Sequence, residues 1–254
     1  MSQSDRPFLS IVVPAYNERL RLGRSLGQIR DYLADSGRPA ETVVVDDGST
    51  DGTAELAAGL AGRGLALRVL RNPANRGKGY SVRRGMLAAD GEVLLMTDAD
   101  LSAPIGEAEK LLGWLERGFD VAIGSRHVPE AVLGTSRALK RRIMEKAFRR
   151  LRRRRILPEI SDTQCGFKLF RRQAARKIFQ HQTVNGFAFD CEVLALARRF
   201  GYRVKEVGVV WCDDPESRLR PVRDSIEMLR SLRRIRRRMA QWARQDAAGS
   251  PPGD

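Results

Sequence analysis

The sequence has few cysteines and few histidines. Its three cysteines, Cys165, Cys191 and Cys212, lie far apart and include no CxxC pair. An odd number of widely spaced cysteines argues against a disulfide framework and against a zinc site, and it favours a reducing compartment. The two histidines, His127 and His181, are too isolated in the sequence to indicate a metal site.

The sequence also lacks a long apolar run and a secretion signal. No segment reaches the roughly 18 to 20 uninterrupted apolar residues of a membrane span. The N-terminal stretch MSQSDRPF has no cationic lead before an apolar core, so we expect a protein that is made and kept in the cytoplasm. At 254 residues and 42% hydrophobic, the chain can bury one large core or two small ones, which excludes a disordered or fibrous protein.

Positive charge is abundant but confined to two segments. Residues 137–155 hold eleven Lys and Arg against one acid, a net charge of +10, and residues 222–244 hold eight Arg against two acids, a net charge of +6. Since the whole chain carries +15, the rest of it carries −1. This distribution predicts a near-neutral globular body with two basic segments.

The first half of the chain alternates short apolar runs with amphipathic stretches. This alternation is typical of an α/β fold with a mostly parallel central sheet flanked by helices. Strands are predicted at 8–13, 42–45, 65–70, 92–97 and 120–123. Helices are predicted at 20–34, 51–60, 79–88 and 105–116. Ligands of such sheets bind beyond the carboxyl ends of the strands, where this sequence concentrates Pro, Asp, Gly and Arg.

The second half of the chain is less regular. Apolar residues at four-residue spacing between arginines predict an amphipathic basic helix over 137–155. Further elements are predicted as helices at 173–179 and 189–200, a strand at 204–211 and a final helix from about 222. In that final helix, apolar residues recur at three- and four-residue spacing and form a stripe of Ile226, Leu229, Leu232, Ile235, Met239 and Trp242.

Asp98-Ala99-Asp100 follows the predicted fourth strand. Two carboxylates at i and i+2 of an extended segment can point to the same side. That arrangement suits a hard divalent cation, Mg²⁺ or Mn²⁺, that bridges protein and diphosphate oxygens. An ordinary acidic turn is the other interpretation of the triplet taken alone, but its position at a strand end favours the metal site.

The ends of the first two strands also carry polar side chains. Pro14-Ala15-Tyr16-Asn17-Glu18 follows the first strand, and Asp46-Asp47 follows the second. An aspartate in this position can accept hydrogen bonds from ribose hydroxyls or a base N–H, and a tyrosine can stack on a base. A turn with helix caps is the other interpretation of Asp46. Together, the three strand ends outline a nucleotide site.

Two cationic positions complete this pattern. Lys78 lies between glycines in NRGKG, just before a predicted helix N-terminus, which is a favourable place for phosphate. The stretch matches neither a Walker loop nor the dinucleotide fingerprint, which weakens kinase and dehydrogenase interpretations. Arg126 follows the fifth strand, where its guanidinium could bind a phosphate or form a surface salt bridge.

Several stretches of the sequence carry a family resemblance. They are VVPAYNE, VVVDDGSTDGT, NRGKGYSVRRG, TDADLS, GSR, SDTQCGFKLF and FAFDCEVL. Over roughly residues 8–220 the chain resembles family 2 glycosyltransferases with the GT-A fold, and among these the dolichyl- and polyprenyl-phosphate hexosyltransferases. Within that branch the pattern is closer to the β-glucosyltransferases than to the mannose synthases.

The resemblance implies an inverting transfer of a hexose, favouring glucose from UDP-glucose, to the phosphate of a polyprenyl lipid, with a β-linked product. It implies that the nucleotide is held by Pro14, Ala15, Tyr16, Glu18, Asp46, Asp47, Lys78, Asp98 and Ala99. It also implies that Asp98 and Asp100 hold the sugar diphosphate with Mg²⁺ or Mn²⁺. Ser102 stands where mannose synthases have a metal-ligating glutamine, which leaves a third protein ligand unassigned.

The acceptor side of the site is expected in the second half of the chain. The residues expected to bind the lipid phosphate are Arg126, Arg142, Lys168 and Arg218. The other interpretation of Lys168 is a solvated side chain, and Arg218 could instead close over the donor. Asp162 is a candidate base or acceptor-orienting group, and its other interpretation is that it ties down the loop at 161–170. A phosphate monoester is already anionic near neutral pH, so positioning and charge neutralisation can suffice without a base. The candidate catalytic set is Asp98, Asp100, Arg126 and Asp162.

We expect the chain to divide into three parts. A GT-A domain is expected over 1–220, with a nucleotide-sugar half at about 8–126 and an acceptor half at about 127–220. A basic amphipathic helix at 221–245 is a candidate membrane-surface anchor, and a disordered tail is expected at 246–254. The membrane-spanning anchor of the eukaryotic glucosyltransferases of this type is missing. We therefore expect a cytoplasmic enzyme that associates peripherally with the cytoplasmic face of a membrane.

Other interpretations stay open. The basic helices can place their arginines on anionic lipid and their apolar stripes in the headgroup boundary, or they can pack those stripes on the protein's own core. Mannosyl transfer from GDP-mannose and transfer to a soluble acceptor are alternatives for the reaction. Nucleic-acid binding is disfavoured because neither basic helix is interleaved with stacking aromatic residues.

Overall fold

The computed structural model describes residues 6–134, 157–212 and 221–247. Within these ranges the chain forms a seven-stranded sheet and a small two-stranded sheet, with helices packed on both faces of the larger one. The basic helix predicted at 137–155 lies outside the described residues, and so do residues 248–254 of the predicted tail.

Nine strands form the two sheets in the described ranges. They are β1 (Leu9–Ala15), β2 (Ala40–Asp46), β3 (Leu67–Arg71), β4 (Val93–Met96), β5 (Val121–Ser125), β6 (Val132–Leu133), β7 (Lys168–Arg171), β8 (Val204–Gly208) and β9 (Val210–Trp211). The large sheet has the order β3-β2-β1-β4-β7-β5-β8, and β6 pairs with β9. All neighbours are parallel except β7, which runs antiparallel to both β4 and β5. The predicted mostly parallel sheet is confirmed.

The helices cover the two faces of the sheet in two groups. One face packs against α1 (Arg19–Ser36), α2 (Thr53–Leu60) and α4 (Ala108–Glu116). The other face packs against α3 (Lys78–Ala88), α5 (Arg172–His181), α6 (Phe189–Arg199) and α7 (Pro221–Ala247). The pleat of β1 serves both cores, because Ile11 and Val13 point to the first group and Val12 points to the second.

Two parts of the second half depart from the predicted pattern. The segment at 161–170, predicted as a loop, ends in β7, which inserts between β4 and β5. The strand predicted at 204–211 divides at Val209 into β8 and β9. A Cβ at Gly208 would lie 2.6 Å from the backbone of Glu130, so the chain passes close to another segment just where it leaves the large sheet.

Four residues of the apolar stripe of α7 face the protein. Leu232 and Ile235 are buried, and Met239 and Trp242 pack beside them against the core under α5 and α6. Of the two open interpretations of this stripe, the structure shows packing on the protein's own core for these four residues, whereas Leu229 is 37% exposed and the side chain of Ile226 lies outside the described ones. The helix also continues through Asp246 and Ala247, where the tail was expected to have begun. None of the helices in the described ranges has the length and apolar content that crossing a membrane requires.

Candidate active site

The candidate site lies at the edge of the sheet where β1, β2 and β4 end. Because β1 pairs in parallel with β2 on one side and with β4 on the other, the segments that follow these strands emerge side by side. This is the position at which open α/β sheets bind ligands. The segments carry Tyr16, Asp46, Asp47, Asp98 and Asp100.

Lys78 and Asp98 form an ion pair at this edge. The Nζ atom of Lys78 lies 2.5 Å from Oδ1 of Asp98, and the two side chains are only 21% and 24% exposed. Burial acts to raise the pKa of Asp98, but the positive charges of Lys78, Lys168 and Arg126 outweigh it and lower that pKa. Three cationic side chains therefore act on one carboxylate.

Gly166 provides the space that the Asp98 side chain occupies. A Cβ at this position would lie 2.1 Å from Oδ2 of Asp98, so the carboxylate could not keep its position beside a larger residue. The contact explains why a glycine stands in the CGF stretch. It also brings the segment at 161–170 directly against the DxD triplet, although more than sixty positions separate the two in the sequence.

Asp100 adds a second carboxylate to the site. Its Oδ1 atom accepts a hydrogen bond of 3.0 Å from the backbone N–H of Ser102. Burial and then the negative charge of Asp98 raise the pKa of Asp100. The described residues contain no cluster of three or more His, Cys, Asp or Glu side chains suited to a metal ion. A cation at this place would therefore take Asp98 and Asp100 from the described protein and further ligands from its substrate.

Asp46 and Asp47 are buried and bonded to the backbone around them. Asp46 accepts hydrogen bonds from the backbone N–H of Ser49. Asp47 accepts from the backbone N–H groups of Arg76, at 3.0 Å, and Gly77, at 2.8 Å. Asp47 thereby ties the end of β2 to the loop that presents Lys78. Of the two interpretations of Asp46, the structure shows the turn, and the nucleotide contacts of both aspartates stay a prediction.

The end of β1 presents an aromatic ring. Tyr16 is 44% exposed, so a face of its ring is accessible for stacking on a base. Glu18 pairs with Arg21 at 2.8 Å, and its backbone N–H donates to the hydroxyl of Thr53. Pro14 and Ala15 form the last two residues of β1, and Ala99 is buried beside the aspartates of the triplet.

Arg126 and Asp162 form a second ion pair of the site. Arg126 donates from Nε to Oδ2 at 2.6 Å and from Nη2 to Oδ1 at 2.8 Å, and its backbone N–H also donates to Oδ2. The guanidinium lies 4.8 Å from the centre of the Trp211 ring, within range of a cation–π contact. Arg126 is therefore held in one orientation from two sides.

This geometry argues against Asp162 as a base. Its side chain is buried, and although burial acts to raise its pKa, the charge of Arg126 outweighs this effect and holds the pKa of Asp162 well below its usual range. A carboxylate so acidic and so fully bonded is a poor proton acceptor. The other interpretation, in which Asp162 ties down its loop, matches the hydrogen bonds that its carboxylate accepts from Arg126 and from the backbone N–H of Gln164.

Lys168 is not placed at the surface as the acceptor prediction expects. Its side chain is fully buried, and its Nζ atom lies 2.5 Å from Oδ1 of Asp190 and donates to the carbonyl of Cys165. An ammonium group with no exposed surface cannot contact a lipid phosphate, whereas the side chain of Arg126 is 12% exposed. This expectation is therefore corrected: Lys168 contributes from beneath the site, through its field on Asp98. Arg142 and Arg218 lie outside the described residues.

Two acidic residues near the site were not singled out from the sequence. Asp190, in the FAFDCEVL stretch, is the partner of Lys168. Glu206 accepts hydrogen bonds of 2.8 Å from the backbone N–H groups of Ser161 and Asp162, and so supports the pair formed with Arg126. An acid inside a predicted apolar helix or strand is the signal that marks both. Cys165 is buried, and burial raises the pKa of its thiol to about 12, which fits packing and not reactivity.

Comparison with known proteins identifies the sequence family of this arrangement. The family model described as Glycosyl transferase family 2 matches residues 10–179. A dolichyl-phosphate beta-glucosyltransferase of Drosophila melanogaster is 40% identical over 238 residues, which are 88% of this chain and 73% of the relative. The human dolichyl-phosphate beta-glucosyltransferase is 35% identical over 247 residues, which are 91% of this chain and 75% of the relative.

Solved structures share the fold at lower sequence identity. Glucosyl-3-phosphoglycerate synthase from Mycobacterium tuberculosis, in complex with UDP, superposes with a TM-score of 0.66 at 19% identity, covering 99% of this chain and 83% of that chain. The same enzyme in complex with Mn²⁺ and UDP-glucose gives a TM-score of 0.66 at 20% identity, covering 91% and 80% of the two chains. The GT-A fold implied by the sequence resemblance is confirmed.

Proposed function

Since the chain belongs to glycosyl transferase family 2, we propose that it transfers glucose from UDP-glucose to dolichyl phosphate or a similar polyprenyl phosphate. The names of the 35–40% identical relatives support the sugar and the lipid. The observation that carries the proposal is the pair Asp98 and Asp100 beyond β4, with Lys78 against one of them. Acidic and basic groups at this edge suit a nucleotide diphosphate sugar.

The donor nucleotide binds along the ends of β1, β2 and β4 in this proposal. Tyr16 offers a face to the base, and the carboxylates of Asp46 and Asp47 hold the loops that shape the pocket. Lys78 stands at the first position of α3, where backbone N–H groups and the helix dipole favour phosphate. A lysine at this place binds the diphosphate as a point charge.

A divalent cation fits the residues at the end of β4. Asp98 and Asp100 supply hard oxygen ligands from two positions just beyond the end of one strand, and Asp98 is already close to the cationic group of Lys78. Mg²⁺ commonly takes one or two protein carboxylates and completes its shell with substrate phosphates. Bound there, Mg²⁺ or Mn²⁺ would neutralise the charge that develops on the leaving diphosphate.

The acceptor phosphate is placed at Arg126 in this proposal. An oxygen of the lipid phosphate bonds to C1 of glucose while the bond from C1 to the donor diphosphate breaks, and its electron pair leaves with UDP. Attack from the side opposite the leaving group inverts C1 and gives a β-linked product. A phosphate monoester is largely ionised at neutral pH, with a second pKa of about 6, so no side chain has to remove a proton. The protein's contribution is orientation and charge.

The lipid acceptor places the reaction at a membrane, and we propose its cytoplasmic face.

The donor and the acceptor are tested together by a screen of donors. Isolated membranes and the purified protein are incubated with Mn²⁺ and with radiolabelled UDP-glucose or GDP-mannose, and label extractable into organic solvent is counted. The proposal predicts labelled lipid with UDP-glucose. Labelled lipid from GDP-mannose alone would replace the glucosyl proposal with mannosyl transfer.

A further inference from the structure

We propose that the outer face of α7 is a docking surface for an anionic lipid membrane. Residues three, four and seven positions apart lie on the same face of a helix. Four arginines have this spacing and are exposed, and we call them the arginine ridge: Arg230, Arg233, Arg237 and Arg244. The ridge spans about 21 Å at the usual rise per residue of a helix.

The arginine ridge lacks the carboxylate partners that similarly exposed arginines have elsewhere in this protein. Arg30 pairs with Asp31 at 2.8 Å, and Arg71 pairs with Glu55 at 2.9 Å. Within the part of the chain that the structure describes, no ridge arginine lies within salt-bridge distance of an acid, and residues 228–245 include no Asp or Glu. Like charges three and four residues apart destabilise a helix, so an anionic partner would relieve a repulsion that the chain itself leaves in place.

The opposite face of α7 fixes the helix on the protein. Leu232 and Ile235 are buried in the core beneath it. Arg238, on the flank, pairs with Glu192 at 2.8 Å and donates to the carbonyl of His181. The arginine ridge is therefore carried on an anchored helix and points outward. Docking would be electrostatic, with the stripe staying in the core rather than entering the lipid.

A lipid surface fits the arginine ridge better than a nucleic acid does. Among the side chains of α7 that the structure describes, Trp242 is the aromatic one, and it packs inward against Phe200 and His181. The outer face therefore offers no ring on which bases could stack. A straight row of cations with Leu229, 37% exposed, on its flank suits a flat surface of anionic headgroups. The inference also rests on the proposed lipid acceptor, which would place this protein at such a surface.

The test compares two triple variants of the full chain. Arg230, Arg233 and Arg237 are replaced by Gln in the first. Arg24, Arg63 and Arg117, exposed on other parts of the molecule, are replaced by Gln in the matched control. Both lose the same charge. Binding is measured by sedimentation with vesicles of phosphatidylcholine alone and of phosphatidylcholine with phosphatidylglycerol, at low and high salt. Duplex DNA is titrated in parallel, and melting temperature and UDP-glucose affinity are recorded for each protein.

We expect the unsubstituted protein to sediment with anionic vesicles only, and less so at high salt. The ridge variant should lose about a hundredfold in vesicle affinity, since each cation near an anionic surface contributes measurably, while the control loses much less. UDP-glucose affinity should stay unchanged in both. The melting temperature should rise slightly in the ridge variant, because the repulsion between its arginines is reduced, and fall slightly in the control, because Arg117 gives up its cation–π contact with Trp114. Three results would each overturn the proposal. They are vesicle binding by the ridge variant as tight as that of the unsubstituted protein, no vesicle binding by the unsubstituted protein, and tighter binding of that protein to duplex DNA than to vesicles. None of these readouts depends on sugar transfer, so failure of the proposed reaction would be seen separately.

Discussion

Arg126 donates two parallel hydrogen bonds to Asp162, from Nε to Oδ2 at 2.6 Å and from Nη2 to Oδ1 at 2.8 Å. The carboxylate is 1% exposed, and the guanidinium also lies against the ring of Trp211. A guanidinium held in this way has already lost most of its rotamer freedom. It can therefore bind a phosphate without the ordering cost that a mobile arginine would bear.

The Asp162→Asn variant tests this role. Removing the charge leaves Arg126 partly buried without its counterion, so we expect the free energy of unfolding to fall by about 3–5 kcal/mol. Transfer should weaken mainly through a higher KM for the lipid phosphate. Urea unfolding and steady-state kinetics measure the two effects, with Asp31→Asn, an exposed pair, as the control expected to cost under about 1 kcal/mol. Unchanged stability together with a collapse of kcat would instead make Asp162 the base.

The same pair predicts a pH dependence. Burial acts to raise the pKa of Asp162, but the charge of Arg126 outweighs burial and lowers this pKa in the folded protein below its unfolded value of about 3.9. The pair's contribution to stability is then fully present above the unfolded pKa and is lost as the pH falls towards the folded pKa. The difference in unfolding free energy between the unsubstituted protein and Asp162→Asn should be constant above about pH 5 and shrink below about pH 4. A difference that stays constant throughout acid conditions would contradict the ionised pair.

Gly166→Ala should damage the site with little effect on the fold. The new Cβ would lie 2.1 Å from Oδ2 of Asp98, so that carboxylate has to move. We expect UDP-glucose and Mn²⁺ affinities, measured by calorimetry, to fall by about tenfold or more, as for other misplaced ligand-orienting contacts. Gly113→Ala is the matched control, because a Cβ there meets nothing within 4 Å and lies in α4. Equal affinities in both variants would show that the clearance at 166 is not needed.

Lys168→Met should lower the free energy of unfolding. It leaves the buried carboxylate of Asp190 without its partner, which costs about 3–5 kcal/mol for pairs of this kind. Combining it with Asp190→Asn removes the isolated charge, so the double variant should recover much of that loss in chemical denaturation. A Lys168→Met protein of normal stability with a raised KM for the lipid would restore the surface role that the structure contradicts.

Ile235→Ala tests the direction of the α7 stripe. Ile235 is 1% exposed, and truncating a buried isoleucine to alanine costs about 2–5 kcal/mol. Leu229→Ala, at a position 37% exposed on the same helix, should cost much less. Thermal or urea unfolding without lipid measures both. If both variants lost the same small amount of unfolding free energy, Ile235 would not be part of the core, and the membrane interpretation of the stripe would be favoured.

The meeting of the strand-end motifs at one edge of the sheet could be predicted from the sequence because its parts are local. Strand-end motifs such as Asp98-Ala99-Asp100 and the loop before Lys78 are contiguous, and the parallel order of β1, β2 and β4 brings them together. The periodicity of the apolar residues and the residue types at the turns are enough to place such elements.

The acceptor side depends on contacts between distant segments, which periodicity does not reveal. Nothing in SDTQCGFKLF indicates that Lys168 begins a strand antiparallel to β4 and β5, which turns its side chain towards Asp190. The stripe of α7 is a similar case. Its spacing predicts an amphipathic helix correctly, but one apolar face serves a core or a lipid equally well, and only the packing of Ile235 decides between them.

Whether the glucose is transferred to a lipid or to a soluble ester decides the acceptor class. Purified protein is given radiolabelled UDP-glucose and Mn²⁺ together with either dolichyl phosphate in detergent or water-soluble phosphate monoesters, and the label is partitioned between organic and aqueous phases. We expect label in the organic phase with dolichyl phosphate, and its loss in an Asp100→Asn variant that melts at the normal temperature. Label that stays aqueous with dolichyl phosphate but enters a soluble phosphate ester would show that the acceptor is not a lipid phosphate.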